Sequence, residues 1–193
     1  MRRLISHLQV TLDGFVAGPN GELEWSGEYH DEAMWEDVFD LLSNVDTVIF
    51  GRVTFQLFED YWPSVRENPS ATRRDVEFGE WINEVQKLVV SRTLTSVKWK
   101  NSALIRGDAA AEVARLKEDD GNDLLIFGSS TLVSSLMSAG LVDEHRTNIH
   151  PVILGDGKRF VPSLTGAHPL QLVDARKINA GVVGLHHRKL QVN

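Results

Sequence analysis

Asp123-Leu124-Leu125-Ile126-Phe127-Gly128-Ser129-Ser130-Thr131-Leu132 is a short apolar run that stops on a glycine and passes into helix-forming sequence. A run this apolar, without polar alternation, predicts a strand buried on both faces. Glycine at its end lets the backbone turn sharply. Residues 131–139 then read as a helix, with Gly140 as its C-cap. The same order of residue types occurs earlier. Thr47-Val48-Ile49-Phe50 ends on Gly51, and residues 53–59 read as a helix. Two strand–glycine–helix units in one chain predict an α/β fold, with a mostly parallel sheet covered by helices on both faces.

The rest of the chain fits around these units. Residues 4–12 read as a first strand, followed by a loop to about His30. Apolar residues at helical spacing mark 31–42, with Asp31 placed to cap. The prolines at 63 and 69 predict a surface loop over 61–70, with Tyr61 and Trp62 on a rim. A helix is expected over 72–84, strands over 87–91 and 102–106, and a helix over 109–118. Residues 142–154 read as extended. The last two strands, 170–178 and 182–191, meet near Ala180-Gly181 with no helix between them, so they should pair as an antiparallel hairpin. The expectation is one mixed three-layer domain over residues 1–193, parallel in its body and antiparallel at its C-terminal edge.

The chain has 193 residues and a formal net charge of −7. Lys and Arg are scattered, so no nucleic-acid footprint is expected. No apolar run approaches the roughly 18 residues of a membrane span, and the N-terminus does not read as a signal peptide. A cytoplasmic setting is expected. The sequence has no cysteine, which removes thiolate chemistry and cysteine-ligated zinc. His186 and His187 are adjacent on a strand and face opposite sides; no spacing predicts a metal site.

Ligands of open α/β sheets bind beyond the carboxyl ends of the strands. Three such ends carry polar side chains. At Gly51-Arg52-Val53-Thr54 and at Phe127-Gly128-Ser129-Ser130-Thr131-Leu132, free N–H groups at a helix start, with its dipole, suit phosphate. Arg52 adds a fork-shaped cation. Two such turns suit the two ends of a dinucleotide, although each also serves as a plain turn and cap. The Rossmann fingerprint is absent. Ser91 and Arg92 end a third strand and suit the adenosine 2′-phosphate that separates NADPH from NADH. Gln9 projects from the first strand toward a polar heterocycle, and Asp13 either faces that substrate or closes a turn. Asp31 sits four residues before Trp35, so the two share a helical face. Asp31 is the candidate catalytic acid, with plain N-capping as its other reading, and Trp35 is a candidate substrate contact or core residue.

Four segments resemble the dihydrofolate-reductase-like superfamily, and within it the reductase domain of the bifunctional riboflavin-biosynthesis deaminase-reductase and its stand-alone relatives. They are Thr11-Leu12-Asp13-Gly14-Phe15-Val16-Ala17, Gly51-Arg52-Val53-Thr54-Phe55, Val90-Ser91-Arg92-Thr93-Leu94 and Ile126-Phe127-Gly128-Ser129-Ser130-Thr131-Leu132. The resemblance implies an NADPH-dependent reductase acting on a pterin-like or pyrimidine-like heterocycle. The alternative is a nucleotide-binding module of the same fold without turnover. It places the cofactor phosphates against Gly51, Arg52, Thr54 and residues 128–132, with Phe127 beside them. Ser91 and Arg92 fall near the adenosine end, and Val16 and Ala17 near the nicotinamide. It also makes a homodimer plausible. The deaminase half, with its Pro-Cys-x-x-Cys zinc motif, is missing.

Overall fold

The computed structural model describes residues 1–27, 29–179 and 181–190. The expected turn at Ala180 and the end of the last strand at Gln191 lie outside the described residues. The elements follow as β1 (Leu4–Thr11), β2 (Phe15–Ala17), α1 (Glu24–Gly27), α2 (Glu32–Leu42), β3 (Val45–Gly51) and α3 (Arg52–Tyr61). A 3-10 helix (Trp62–Glu67) leads to α4 (Arg73–Glu84), β4 (Gln86–Val90), β5 (Ser102–Ile105) and α5 (Ala109–Glu118). The chain continues through β6 (Asp123–Phe127), α6 (Ser130–Ser138), β7 (Glu144–His150), β8 (Lys158–Arg159), β9 (Leu170–Lys177) and β10 (Val183–Lys189).

Eight strands form one sheet in the order β5-β4-β3-β6-β1-β7-β10-β9. The pairings from β5 through to β7 are parallel, and β10 runs antiparallel to both β7 and β9. The carboxyl ends of the parallel strands therefore share one rim.

Side-chain alternation splits the core into two layers. Val48 and Phe50 of β3, with Leu125 and Phe127 of β6, face an aromatic layer containing Trp35, Phe55, Phe78 and Trp99. Ile49, Leu124 and Ile126 face the other way, onto Val113, Leu116, Val133 and Leu136 of α5 and α6. Helices thus lie on both faces, as the buried apolar strands require.

Two loops expected from sequence carry structure of their own. In the first, β2 pairs with β8 as a small second sheet, and Glu24–Gly27 form a helical turn. In the second, the proline at 63 falls at the start of a 3-10 helix, where a missing N–H costs little. Val65 is buried there, and the Trp62 ring lies 4.5 Å from Phe78 between centroids. Trp62 is therefore packed against the aromatic core, and the expectation of a purely rim position is corrected.

Candidate functional site

The two glycine turns meet. A Cβ on Gly51 would stand 2.2 Å from Ser129 Oγ, and one on Gly128 would stand 3.3 Å from Thr54. Gly51 is thus fixed by close approach. Gly128 and Ser129 are both left-handed, at φ 59° and 51°. This conformation is natural for glycine and unfavourable for serine. Two successive residues in that region fold the chain back before α6 starts. The starts of α3 and α6 are brought side by side, and neither has an acidic residue in its first turn. Their positive dipole ends are therefore uncompensated by carboxylates there.

A cleft of about 840 Å³ opens from this junction. Arg52, Thr54, Phe127 and Gly128 through Thr131 line one end. Ser91 and Arg92 line it at the end of β4, and Val16 and Ala17 line it along β2. Ser91 Oγ accepts from the N–H groups of Leu94 (3.0 Å) and Thr93 (3.2 Å), which shapes the turn after β4. Of the residues expected from sequence to touch a cofactor, only Gly51 and Leu132 do not line the cleft. Gly51 acts by letting Ser129 approach. Leu132 is buried against the aliphatic layer.

The substrate and acid candidates separate. Gln9 and Trp35 line the cleft, and Trp35 packs on Phe78 at 5.5 Å between centroids. Asp13 lies outside the lining. Its carboxylate accepts from Gly155 N–H at 2.8 Å, from Leu154 N–H at 3.3 Å and from the Thr11 hydroxyl at 2.7 Å. The Thr11 bond, first among these contacts, holds Asp13 below the usual carboxylate range. Asp13 closes a turn. Asp31 is exposed and outside the lining. It caps α2, accepting from Met34 N–H at 3.0 Å. Glu28, a neighbouring acid, lies outside the described residues.

The inner end of the cleft holds His7, His30 and Lys158, which sequence reasoning passed over, and Trp25, which the sequence leaves between covering the cleft and packing on the surface. His7 is 4% exposed, and His150 behind it is fully buried. Gln9 joins them. Its Nε2 lies 3.2 Å from His7 Nε2, and its Oε1 lies 2.6 Å from His150 Nε2. Burial pushes both imidazoles down to about 4, so both are neutral near pH 7. The available signal was the two-residue spacing of His7 and Gln9 on a strand, which puts them on one face. The registry His7↔Arg146 and Thr11↔His150, which brings His150 alongside, is set by pairing across most of the chain.

Comparison with known proteins places this geometry in a family. The model of the RibD C-terminal domain matches residues 2–184. The uncharacterized protein YyaP of Bacillus subtilis is 35% identical over 182 residues, covering 94% of this chain and 92% of that protein. Among solved structures, a protein of Shewanella sp. PV-4 provisionally assigned to riboflavin biosynthesis superposes with a TM-score of 0.74 at 17% identity, over 98% of this chain and 99% of that one. The Thermotoga maritima diaminohydroxyphosphoribosylaminopyrimidine deaminase/5-amino-6-(5-phosphoribosylamino)uracil reductase gives 0.66 at 15% identity, over 98% of this chain but 57% of that one. Enterococcus faecalis dihydrofolate reductase, solved with NADP(H), gives 0.59 at 14% identity, over 98% and 97%. At these identities the structural likenesses establish the fold, which is dihydrofolate-reductase-like.

Proposed function

The chain belongs to the RibD C-terminal domain family, and from that premise we propose that it is an NADPH-dependent reductase acting on a pterin-like or pyrimidine-like heterocycle. The reaction would be of the dihydrofolate reductase or 5-amino-6-(5-phosphoribosylamino)uracil reductase type. The observation that carries the reading is the junction of Gly51 with Ser129 and of Thr54 with Gly128 at the head of the cleft. Phosphate groups suit the N–H groups there, and Arg52 lines the same end. Arg92 and Ser91 suit a 2′-phosphate, and the β2 backbone at Val16 and Ala17 suits the nicotinamide. The dinucleotide would supply a hydride for a C=N or C=O bond of the acceptor. The chain's own part is to bind, orient and exclude water, for which Trp25, Trp35 and Trp62 give the cleft apolar walls. Asp31 is committed to Met34 N–H as a cap, so the reading does not route a proton through it. A homodimer in the cytoplasm completes the proposal.

Calorimetric titration with NADPH and, separately, with NADH tests it. Tight NADPH binding and weak NADH binding are expected. Arg52→Ala should weaken NADPH about tenfold or more, near 1.4 kcal/mol, with an unchanged circular dichroism spectrum. Its guanidinium otherwise makes only a solvent-exposed bond to Gln56 among the described residues. Absence of binding to either dinucleotide would overturn the reading.

A further inference from the structure

We propose that Gln9 locks two buried imidazoles into opposite tautomers, so that His7 and Trp25 present N–H donors to the cleft, and that the acceptor bound there is an uncharged heterocycle docked through a ring carbonyl or imine nitrogen. This deepens the reductase reading and rests on it.

The hydrogen-bond inventory carries the argument. A primary amide nitrogen only donates, an amide oxygen only accepts, and a neutral imidazole has one of each. In the assigned amide orientation Gln9 Nε2 faces His7 Nε2, which makes that nitrogen the acceptor and puts the His7 proton on Nδ1. Gln9 Oε1 faces His150 Nε2, so that nitrogen must carry the His150 proton. The remaining nitrogens are then unlike: His7 Nδ1–H donates and His150 Nδ1 accepts. Both are buried and without a partner among the described residues, and so is Trp25 Nε1–H. A folded chain rarely leaves buried polar atoms unpaired, and clusters of them mark sites completed by something else. His7 and Trp25 both line the cleft. Trp25 also packs edge-on against His150, with ring centroids 5.2 Å apart, and His150 is joined to His7 through Gln9.

The chemistry of that neighbourhood selects the occupant. Two N–H donors ask for acceptor atoms. Leu8, Trp35 and Val38 supply apolar walls, Lys158 of the same lining is exposed to solvent, and the burial that keeps His7 and His150 neutral would penalise a carboxylate set beside them. A carbonyl or imine nitrogen on a flat neutral ring meets both conditions. Hydrogen bonds from His7 and Trp25 to that atom would draw electron density from the bond to be reduced. Gln9 is a positioning residue, acting through His7.

Uracil and orotate, its carboxylated analogue, are the probes. Long-range ¹H–¹⁵N spectra of histidine- and tryptophan-labelled protein at pH 7.5, saturated with NADPH, should show His7 protonated on Nδ1 and His150 on Nε2. Uracil should shift His7 Nδ1–H and Trp25 Nε1–H, and orotate should shift them at least tenfold more weakly. Gln9→Met should return both rings to mixed tautomers and weaken the uracil response about tenfold or more. Like tautomers on the two rings, the exchanged pair with His7 protonated on Nε2, no response to uracil, or orotate binding as tightly as uracil would each overturn the inference. NADPH titration of the same sample separates the two readings. If NADPH binds and uracil does nothing, this inference fails alone; if NADPH does not bind, the cofactor reading fails. Should Gln9→Met not fold, the wild-type tautomers and the two probes still decide.

Discussion

At the scale of single residues, the buried imidazoles make stability sensitive to mild acid. His7, His145 and His150 are all pushed down to about 4, in each case chiefly by burial. The unfolded chain would take up their protons near 6.5. The sign follows from linkage. A base with a depressed native pKa contributes fully above the unfolded value, and its contribution is lost as pH falls from there through the native value. The window is therefore pH 6.5 down to about 4, and His7 alone accounts for roughly 3 kcal/mol across it. Buried carboxylates behave differently. Glu144 is held low despite its burial, by the His186 bond and the charges of Arg3, His186 and Arg188. Its loss begins only near the ordinary carboxylate range. Urea denaturation at pH 7.5, 6.5, 5.5 and 4.5 should give a midpoint that starts to fall between the first two steps below 7.5. A midpoint constant down to pH 5 would mean that these rings accept protons in the folded protein.

At the scale of elements, the close approach of two strand ends makes a glycine indispensable. A methyl at position 51 would sit 2.2 Å from Ser129 Oγ and 2.8 Å from Ser129 Cβ. Something must move, and the β6–α6 turn is already held left-handed at Gly128 and Ser129. Gly51→Ala should cost about 1–3 kcal/mol and weaken NADPH binding, read by thermal denaturation and calorimetry. Ser129→Gly in that background should recover most of the loss, because it removes the clashing side chain and relaxes the φ strain. A double variant no better than the single one would refute a Gly51–Ser129 origin. These elements were legible because each rule is local: an apolar run, a glycine, then a helix start. The elements that escaped were those made by distant pairing. β2 is three residues long and exists because β8 pairs with it. The 3-10 helix is held by Val65 in the core, a tertiary effect that prolines in sequence do not announce. The end of the cleft at the two glycine turns follows from local motifs and was readable. The inner end needed the β1–β7 register to bring Gln9 and His150 together. Asp31 illustrates the converse, since capping and acid chemistry share one sequence signal and only geometry separates them.

At the scale of the whole molecule, the sheet ends on a strand that is apolar in its first half, at Leu170, Leu172 and Val173, and charged in its second, at Asp174, Arg176 and Lys177. All eight residues of β9 are exposed. Leu172 and Val173 are 54% and 45% exposed, and they are neighbours on a strand, so both faces of the edge carry apolar surface. Leu170 on β9 and Val183 on β10 extend that surface. Free edge strands are usually guarded by charge, proline or a covering element, and a run of apolar side chains at an edge marks an interaction surface. A second copy of this chain is the simplest occupant, since a two-fold axis presents the same edge to itself. The consequence reaches the site, because β10 pairs with β7, the strand that carries His150. Sedimentation velocity should therefore find a dimer, and Leu172→Lys with Val173→Lys should give a monomer. Both side chains are already largely exposed, so the monomer should keep its spectrum and lose little intrinsic stability. If the dimer braces β7 through β10, the monomer should also bind NADPH as before while its uracil response weakens. A wild-type monomer at all concentrations would remove the self-association argument. A monomeric variant with an unaltered uracil response would confine the dimer to the edge, with no bearing on the cleft.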